Sequence, residues 1–360
     1  MRQNNPKKDE VFYNFLKEIS NNYRTISFIG LDKASGKTTT LKVFLQALKY
    51  KRVGVTSIGT DHQTKNYPVD DHCLIYVSEG TVVATSRNSL NFCDTTKEIL
   101  HTTGIQSPSG EIIVFKAKSD GYVFLAGPSM IADSMRIRDL LLASGAEVVL
   151  IDGALDRKSS AFPGHSDAIV VTASLFWQGE GLPQEKLSRE MEILTTPVLE
   201  DAILGEICLE NLNVKAPFFL IDETRRIFIP QESNINHELF TTIANFDKPI
   251  KVIFVRGAIT NSLVSALLKA DKKITAKLAN VRIVAEDPTK LFVSAGSLQS
   301  LVNQNIHIRV LKPIKILALS LNPFHLGWDT DRVIKVLKEH AFRFHLPVID
   351  SVGGLFVEGI

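Results

Sequence analysis

The sequence predicts an α/β protein, with a mostly parallel sheet in an N-terminal domain and a second α/β domain after it. Three observations carry this expectation. Short apolar runs alternate with stretches of helical periodicity. A glycine-bearing turn separates the first such run from the first long helix. The same alternation resumes near residue 250. With 360 residues, 44% of them hydrophobic, the chain can bury one large core or two modest ones.

In chain order, residues 11–20 have the spacing of a short amphipathic helix. Thr25 to Ile29 is a strand-like run that ends at Gly30. Residues 38–48 place Leu41, Val43, Phe44, Leu45 and Leu48 at helical spacing, and Val53 to Ile58 is a second strand. The stretch from 59 to about 110 is polar and irregular, with short strands at 73–77 and 81–85. Residues 111–117 and 121–125 form a hairpin around Asp120-Gly121. A helix over 130–143 follows, with Ser129 as its N-cap. Next come strands at 148–151 and 168–172 and a charged helix at 184–194. Apolar segments at 218–221 and 227–229 suggest small strands in a region that is otherwise hard to parse. From 250, strands at 252–255, 281–285, 314–319 and 347–349 alternate with helices at 260–270, 296–303 and 331–342. The expected organisation is an N-terminal helical extension over 1–24, a nucleotide-binding domain over 25–205, a connecting region over 206–249 and a C-terminal α/β domain over 250–360.

Composition narrows the function classes. Charged residues are 22% of the chain and the net charge is +2, so there is no electrostatic reason to expect nucleic acid. The three cysteines, Cys73, Cys93 and Cys208, form no C-x-x-C and read as reduced thiols. The basic N-terminus has no apolar segment behind it, so it does not read as a signal peptide. No run approaches the length of a membrane span. The expected location is the cytoplasm, with no membrane association.

The run Gly30-Leu-Asp-Lys-Ala-Ser-Gly-Lys-Thr-Thr39 reads as a nucleoside-triphosphate phosphate loop. It has five residues between Gly30 and Gly36, one more than the usual G-x-x-x-x-G-K-[ST]. The physical requirements are met despite the extra residue. A turn at a helix start aims backbone N–H groups at phosphate oxygens. Lys37 reaches the terminal phosphates, Thr38 offers a hydroxyl to Mg²⁺, and Gly36 allows close approach. Gly30, Asp32, Ser35, Gly36, Lys37, Thr38 and Thr39 are therefore the candidate nucleotide contacts. The expected cofactors are ATP and Mg²⁺. The chain has no Asn-Lys-x-Asp guanine motif, which favours ATP over GTP.

Acidic residues complete the candidate metal site. Asp152 closes the apolar run 148–151, where a carboxylate can face the crevice at the strand ends; an Asp-Gly turn is the structural alternative. Asp61 follows the second strand and either senses the metal or lies in a surface loop. Arg157 and Lys158, shortly after Asp152, could steady phosphoryl charge or sit in a solvated turn. Lys37, Asp61, Asp152 and Arg157 are thus the candidate catalytic residues, and Thr38, Asp61 and Asp152 the candidate metal ligands. A His/Asp metal cluster can be drawn from His62, Asp70, Asp71 and His72, but its spacing matches no short motif. No G-x-S-x-G elbow or His-Glu-x-x-His is present.

The five-residue spacing and Asp32 resemble the dethiobiotin-synthetase branch of phosphate-loop enzymes. A wider set of segments resembles one family. These are Gly36-Lys-Thr-Thr-Thr40, Gly80-Thr-Val-Val-Ala-Thr85, Asp152-Gly-Ala-Leu-Asp-Arg-Lys-Ser159, Gly257-Ala-Ile-Thr260, Asp287-Pro-Thr-Lys290 and Leu321-Asn-Pro323. From about residue 25 to 352 the chain resembles the reactivase subunit family of adenosylcobalamin-dependent lysine 5,6-aminomutase. The resemblance implies an ATP-coupled role in replacing damaged cobalamin, with Lys37, Thr38 and Asp152 carrying nucleotide and Mg²⁺. It implies as partner a cobalamin-dependent aminomutase or another reactivase subunit, and leaves room for a homodimer. One departure is that Gly59-Thr-Asp-His-Gln63 stands where the family tends to show Gly-x-Asp-Gly-Glu. Asp61 is kept, and Gln63 replaces an acid. Two other functions fit the same motifs: a small-molecule ligase or kinase, and a scaffold that holds nucleotide without turnover.

Overall fold

Helix α1 (Pro6–Asn22) leads into strand β1 (Thr25–Gly30), which is buried along its whole length. The computed structural model describes residues 6–32, 35–59, 73–153, 161–175, 183–230, 235–323 and 327–359. Helix α2 (Lys37–Ala47) and strand β2 (Val53–Ser57) follow. Then come β3 (Ile75–Val77), β4 (Val82–Ser86), a 3₁₀ helix over Arg87–Phe92, β5 (Lys97–Ser107), β6 (Gly110–Ala117) and β7 (Gly121–Val123). Helix α3 (Ile131–Ala143), β8 (Val148–Asp152), β9 (Ala168–Ser174) and α4 (Pro183–Leu194) complete this run.

The next run is α5 (Ala202–Glu210), β10 (Phe218–Asp222), β11 (Ile227–Phe228), α6 (Ile235–Asn245), β12 (Ile250–Val255) and β13 (Ile259–Thr260). It continues with α7 (Asn261–Leu268), α8 (Lys272–Leu278), β14 (Arg282–Ala285), β15 (Leu291–Phe292), α9 (Ala295–Asn303) and β16 (His307–Val310). The chain ends with β17 (Ile316–Asn322), α10 (Thr330–Phe344), β18 (Val348–Asp350) and β19 (Leu355–Val357).

The chain divides into two units, Met1–Leu187 with Lys315–Ile360, and Ser188–Ile314. In the first, a ten-stranded sheet has the order β19-β18-β17-β9-β1-β8-β2-β4-β6-β5. Every pair from β18 across to β4 is parallel, and the outer pairs are antiparallel. Buried parallel strands read as continuous apolar runs because helices cover both faces, and β1, β8 and β9 fit that description. On one face, Ile26 and Phe28 pack with Leu41, Phe44 and Leu48 of α2. Phe28 and Phe44 meet edge to face at 5.0 Å, a contact worth about 1 kcal/mol beyond burial. On the other face, Val149 and Ile151 pack with Ile137 and Leu141 of α3.

The second unit holds a five-stranded sheet of order β11-β10-β12-β14-β16. Strands β12, β14 and β16 are parallel, while β10 runs against β12. One face packs on α6, α7, α8 and α9 through Leu239, Leu263, Leu278 and Leu301; Leu204 and Cys208 of α5 pack on the other. Lys277 Nζ donates to the carbonyls of Ile243, Ala244 and Phe246, so a cation closes the negative end of α6. Asp287-Pro-Thr-Lys290 is a capped 3₁₀ turn, with Asp287 accepting from the Thr289 N–H at 2.8 Å.

Three expectations are corrected. The expected boundaries, 25–205, 206–249 and 250–360, do not follow the observed units. Residues 206–249 carry β10 and α6, which are integral to the second sheet. The last 46 residues, Lys315–Ile360, rejoin the first unit because β17 pairs with β9 from Ile316 to Asn322. A buried apolar run does not state which sheet it enters. The expected hairpin of 111–117 with 121–125 is absent from the described pairings: β6 pairs with β4 and β5, and β7 pairs with β3. Strand β5 lies in the stretch expected to be irregular, and it is a polar sheet edge with little apolar alternation. The N-cap of α3 is Met130, with no side-chain bond, rather than Ser129.

Candidate functional site

Strands β1 and β8 are parallel neighbours, so the loops that follow them leave the same edge of the sheet. Asp152, the last residue of β8, is in register with Phe28 of β1 and Ser57 of β2. A one-residue slip would turn Asp152 to the opposite face of the sheet. The register therefore aims this carboxylate at the start of α2.

Gly36 caps α2 with φ 86° and ψ 16°. That left-handed conformation costs a residue bearing a Cβ about 1 kcal/mol. The N-cap residue of α2, Gly36, makes no side-chain cap bond to the first turn. Its N–H groups and the positive end of its dipole are thus arranged as an anion site.

Lys37 begins the helix and is only 5% exposed. Its ammonium donates to the carbonyl oxygen of Gly153 and lies 3.3 Å from Asp152 Oδ1. Thr38 Oγ1 donates to Asp152 Oδ2 at 3.2 Å. One carboxylate therefore receives the first two side chains of α2. Gly30 ends β1 opposite Thr172 of β9. Ser35 Oγ lies 2.9 Å from Thr172 Oγ1, and the Leu31 N–H donates to the Thr172 carbonyl at 2.9 Å. Thr40 Oγ1 donates to the Gly36 carbonyl at 2.9 Å and lies 2.8 Å from Ser320 Oγ of β17. Strands on the far side of β1 thus hold the turn at both ends. Asp32, buried in the same turn, is paired with Lys186 of α4.

A cavity adjoins the pair. Lys37, Thr38, Asp152 and Gly153 line one side; Ser57, Ile58, Gly59, Cys73, Ile75, Phe124 and Leu125 line the rest. Further along α2, burial pushes the Lys42 ammonium below its ordinary range, against the opposing pull of Cys73 and Asp152.

The structure thus brings Gly30, Asp32, Ser35, Gly36, Lys37, Thr38 and Asp152 to one edge of the sheet. Thr39 lies on α2 with its side chain exposed. Asp61 and Arg157 lie outside the described residues, as do Lys158, His62, Asp70, Asp71 and His72. Among the described residues no group of three or more His, Cys, Asp or Glu side chains gathers as a metal site. No described helix is long and apolar enough to cross a membrane. Sequence reasoning missed Thr172, Ser320 and Lys186. The hydroxyls carry no motif, whereas a lysine in the first turn of a helix is a signal that could have been weighed.

Comparison with family models, with curated proteins and with solved structures finds no significant match.

Proposed function

We propose that the chain is a Mg²⁺-dependent ATPase that helps reactivate an adenosylcobalamin-dependent aminomutase. The observation that carries the nucleotide part is the convergence of Lys37 and Thr38 on Asp152 beside an uncapped helix start. The donor set fits a magnesium nucleotide: a hydroxyl and a carboxylate oxygen 3.2 Å apart are hard ligands of the kind Mg²⁺ prefers. Thr38 and Asp152 would hold the ion, which would supply neutralisation of phosphate charge. Lys37 and the first N–H groups of α2 bind phosphate oxygens. The cluster of Ser35, Thr172, Thr40 and Ser320 keeps the turn in place, so little reorganisation accompanies binding.

The phosphate-loop fold is part of the same reading. Its support is the order β9-β1-β8-β2, with the glycine turn after the central strand. The aminomutase role and the cobalamin link rest on the resemblance of the segments from Gly36 to Pro323. A reactivase subunit or a second copy of the chain is an alternative partner.

A second reading, a ligase or kinase acting on a small molecule, is favoured by the cavity beside Lys37 and Asp152, which could admit a phosphoryl acceptor. The test is ATP hydrolysis by the purified chain with and without Mg²⁺ and an inactivated aminomutase. The proposal expects Mg²⁺-dependent hydrolysis that the mutase stimulates. Hydrolysis indifferent to any mutase removes the partner. ATP bound without turnover in either condition leaves a nucleotide-holding scaffold.

A further inference from the structure

Lys186 stands in the first turn of α4, which begins at Pro183. A cation there faces the positive end of the helix dipole and is disfavoured. The helix dipole therefore gives no reason for a lysine at this place, and its partner Asp32 does. The ammonium is paired with Oδ1 of Asp32, whose side chain is 8% exposed. The two residues are 154 positions apart in the chain, so no local rule of helix or turn joins them.

Asp32 lies in the turn between Gly30 and Gly36, directly ahead of the uncapped start of α2. An uncompensated carboxylate in such a turn repels the phosphate that the N–H groups and Lys37 attract. Burial strengthens that repulsion, because little water screens it.

We propose that Lys186 is a positioning residue for nucleotide: it neutralises Asp32 and holds its side chain, and so makes the turn receptive to the phosphates of ATP. The inference rests on the nucleotide reading above and adds a residue outside every segment that suggested it. Lys37 attracts phosphate directly. Lys186 acts through Asp32 by cancelling a charge that would oppose binding.

This charge logic separates the proposal from a merely structural ion pair. Removing the lysine alone leaves the acid exposed to the ligand and weakens binding. Removing the acid as well restores binding, although the ion pair is then entirely gone. A structural pair shows no such rescue, because both variants lose the same tether.

The experiment is calorimetric titration of the full chain with Mg-ATP, for the wild type, Lys186→Met, Lys186→Arg, Asp32→Asn and the Lys186→Met/Asp32→Asn double variant. Circular dichroism reports whether each is folded. Lys186→Met is expected to bind about tenfold more weakly. The double variant is expected to return to within about threefold of the wild type, and Lys186→Arg to stay close to it. The proposal makes Asp32 a charge that opposes phosphate rather than the nucleotide contact expected from the sequence, so Asp32→Asn alone is expected to bind at least as tightly as the wild type. This variant decides the matter if Lys186→Met does not fold, since loss of binding in Asp32→Asn overturns the proposal. Wild-type affinity in Lys186→Met, or a double variant as weak as Lys186→Met, also overturns it and leaves the nucleotide reading intact. A wild-type chain that binds no Mg-ATP overturns both.

Discussion

The ammonium of Lys37 lies 3.3 Å from a carboxylate oxygen of Asp152, and both side chains are largely buried, at 5% and 11% exposure. Lys37 opens the helix that follows β1 and Asp152 ends the neighbouring strand β8, so the parallel register of β1 and β8 sets the contact. Removing one member of a buried pair leaves the other charge without its counter-ion. Asp152→Ala is therefore expected to destabilise the fold by about 3 kcal/mol. Urea denaturation of the two proteins measures the difference. Asp152→Asn keeps an acceptor for Thr38 and is expected to cost less.

The backbone near the cavity is closed by a second contact. The Gly127 N–H donates to Ser57 Oγ at 2.9 Å and to the Gly59 carbonyl at 3.2 Å. A Cβ on Gly127 would fall 1.7 Å from the Ser57 carbonyl oxygen. Gly127→Ala must therefore push the strand ends apart, and a loss of about 3 kcal/mol or failure to fold is expected. A thermal melt checks it; an unchanged melting temperature contradicts the contact.

The cysteines should differ in reactivity. Burial pushes the Cys208 thiol up to about 12, and burial also raises Cys93. Both are buried, whereas Cys73 is partly exposed and lines the cavity beside Lys37. Iodoacetamide at neutral pH is expected to modify Cys73 first. On the nucleotide reading, Mg-ATP should slow that modification. Mass spectrometry of the alkylated chain gives the order.

Acid should weaken the second unit through His307. Burial, then the nearby Arg282 and Arg309 guanidinium groups, hold its imidazole below the ordinary 6.5. The folded state therefore favours the neutral ring, while the unfolded chain binds a proton near 6.5. The contribution is complete above 6.5 and is lost as pH falls through the lower folded value. Urea midpoints at neutral pH and below 6 are expected to differ more for the wild type than for His307→Gln. Equal differences contradict this assignment.

Much of the site was legible because its parts are local. The turn at Gly36, Lys37 and Thr38 is a contiguous motif, and Asp152 ends a four-residue apolar run that advertises a buried strand. What joins distant parts was not legible. The Lys186–Asp32 pair bridges 154 positions, and Ser320 reaches Thr40 across 280. The second unit interrupts the first because Ile316–Asn322 returns to pair with β9. Nothing in that apolar run distinguishes one sheet from another. Strand β5 escaped notice because residues such as Lys97, Glu98 and His101 suit a solvated sheet edge.

The most direct test of the central claim is binding of Mg-ATP to the wild type and to Lys37→Ala, both shown to be folded. The account expects saturable, Mg²⁺-dependent binding by the wild type and a loss of about a hundredfold or more in the variant. Equal affinity in the two proteins, or no binding by the wild type, would contradict it.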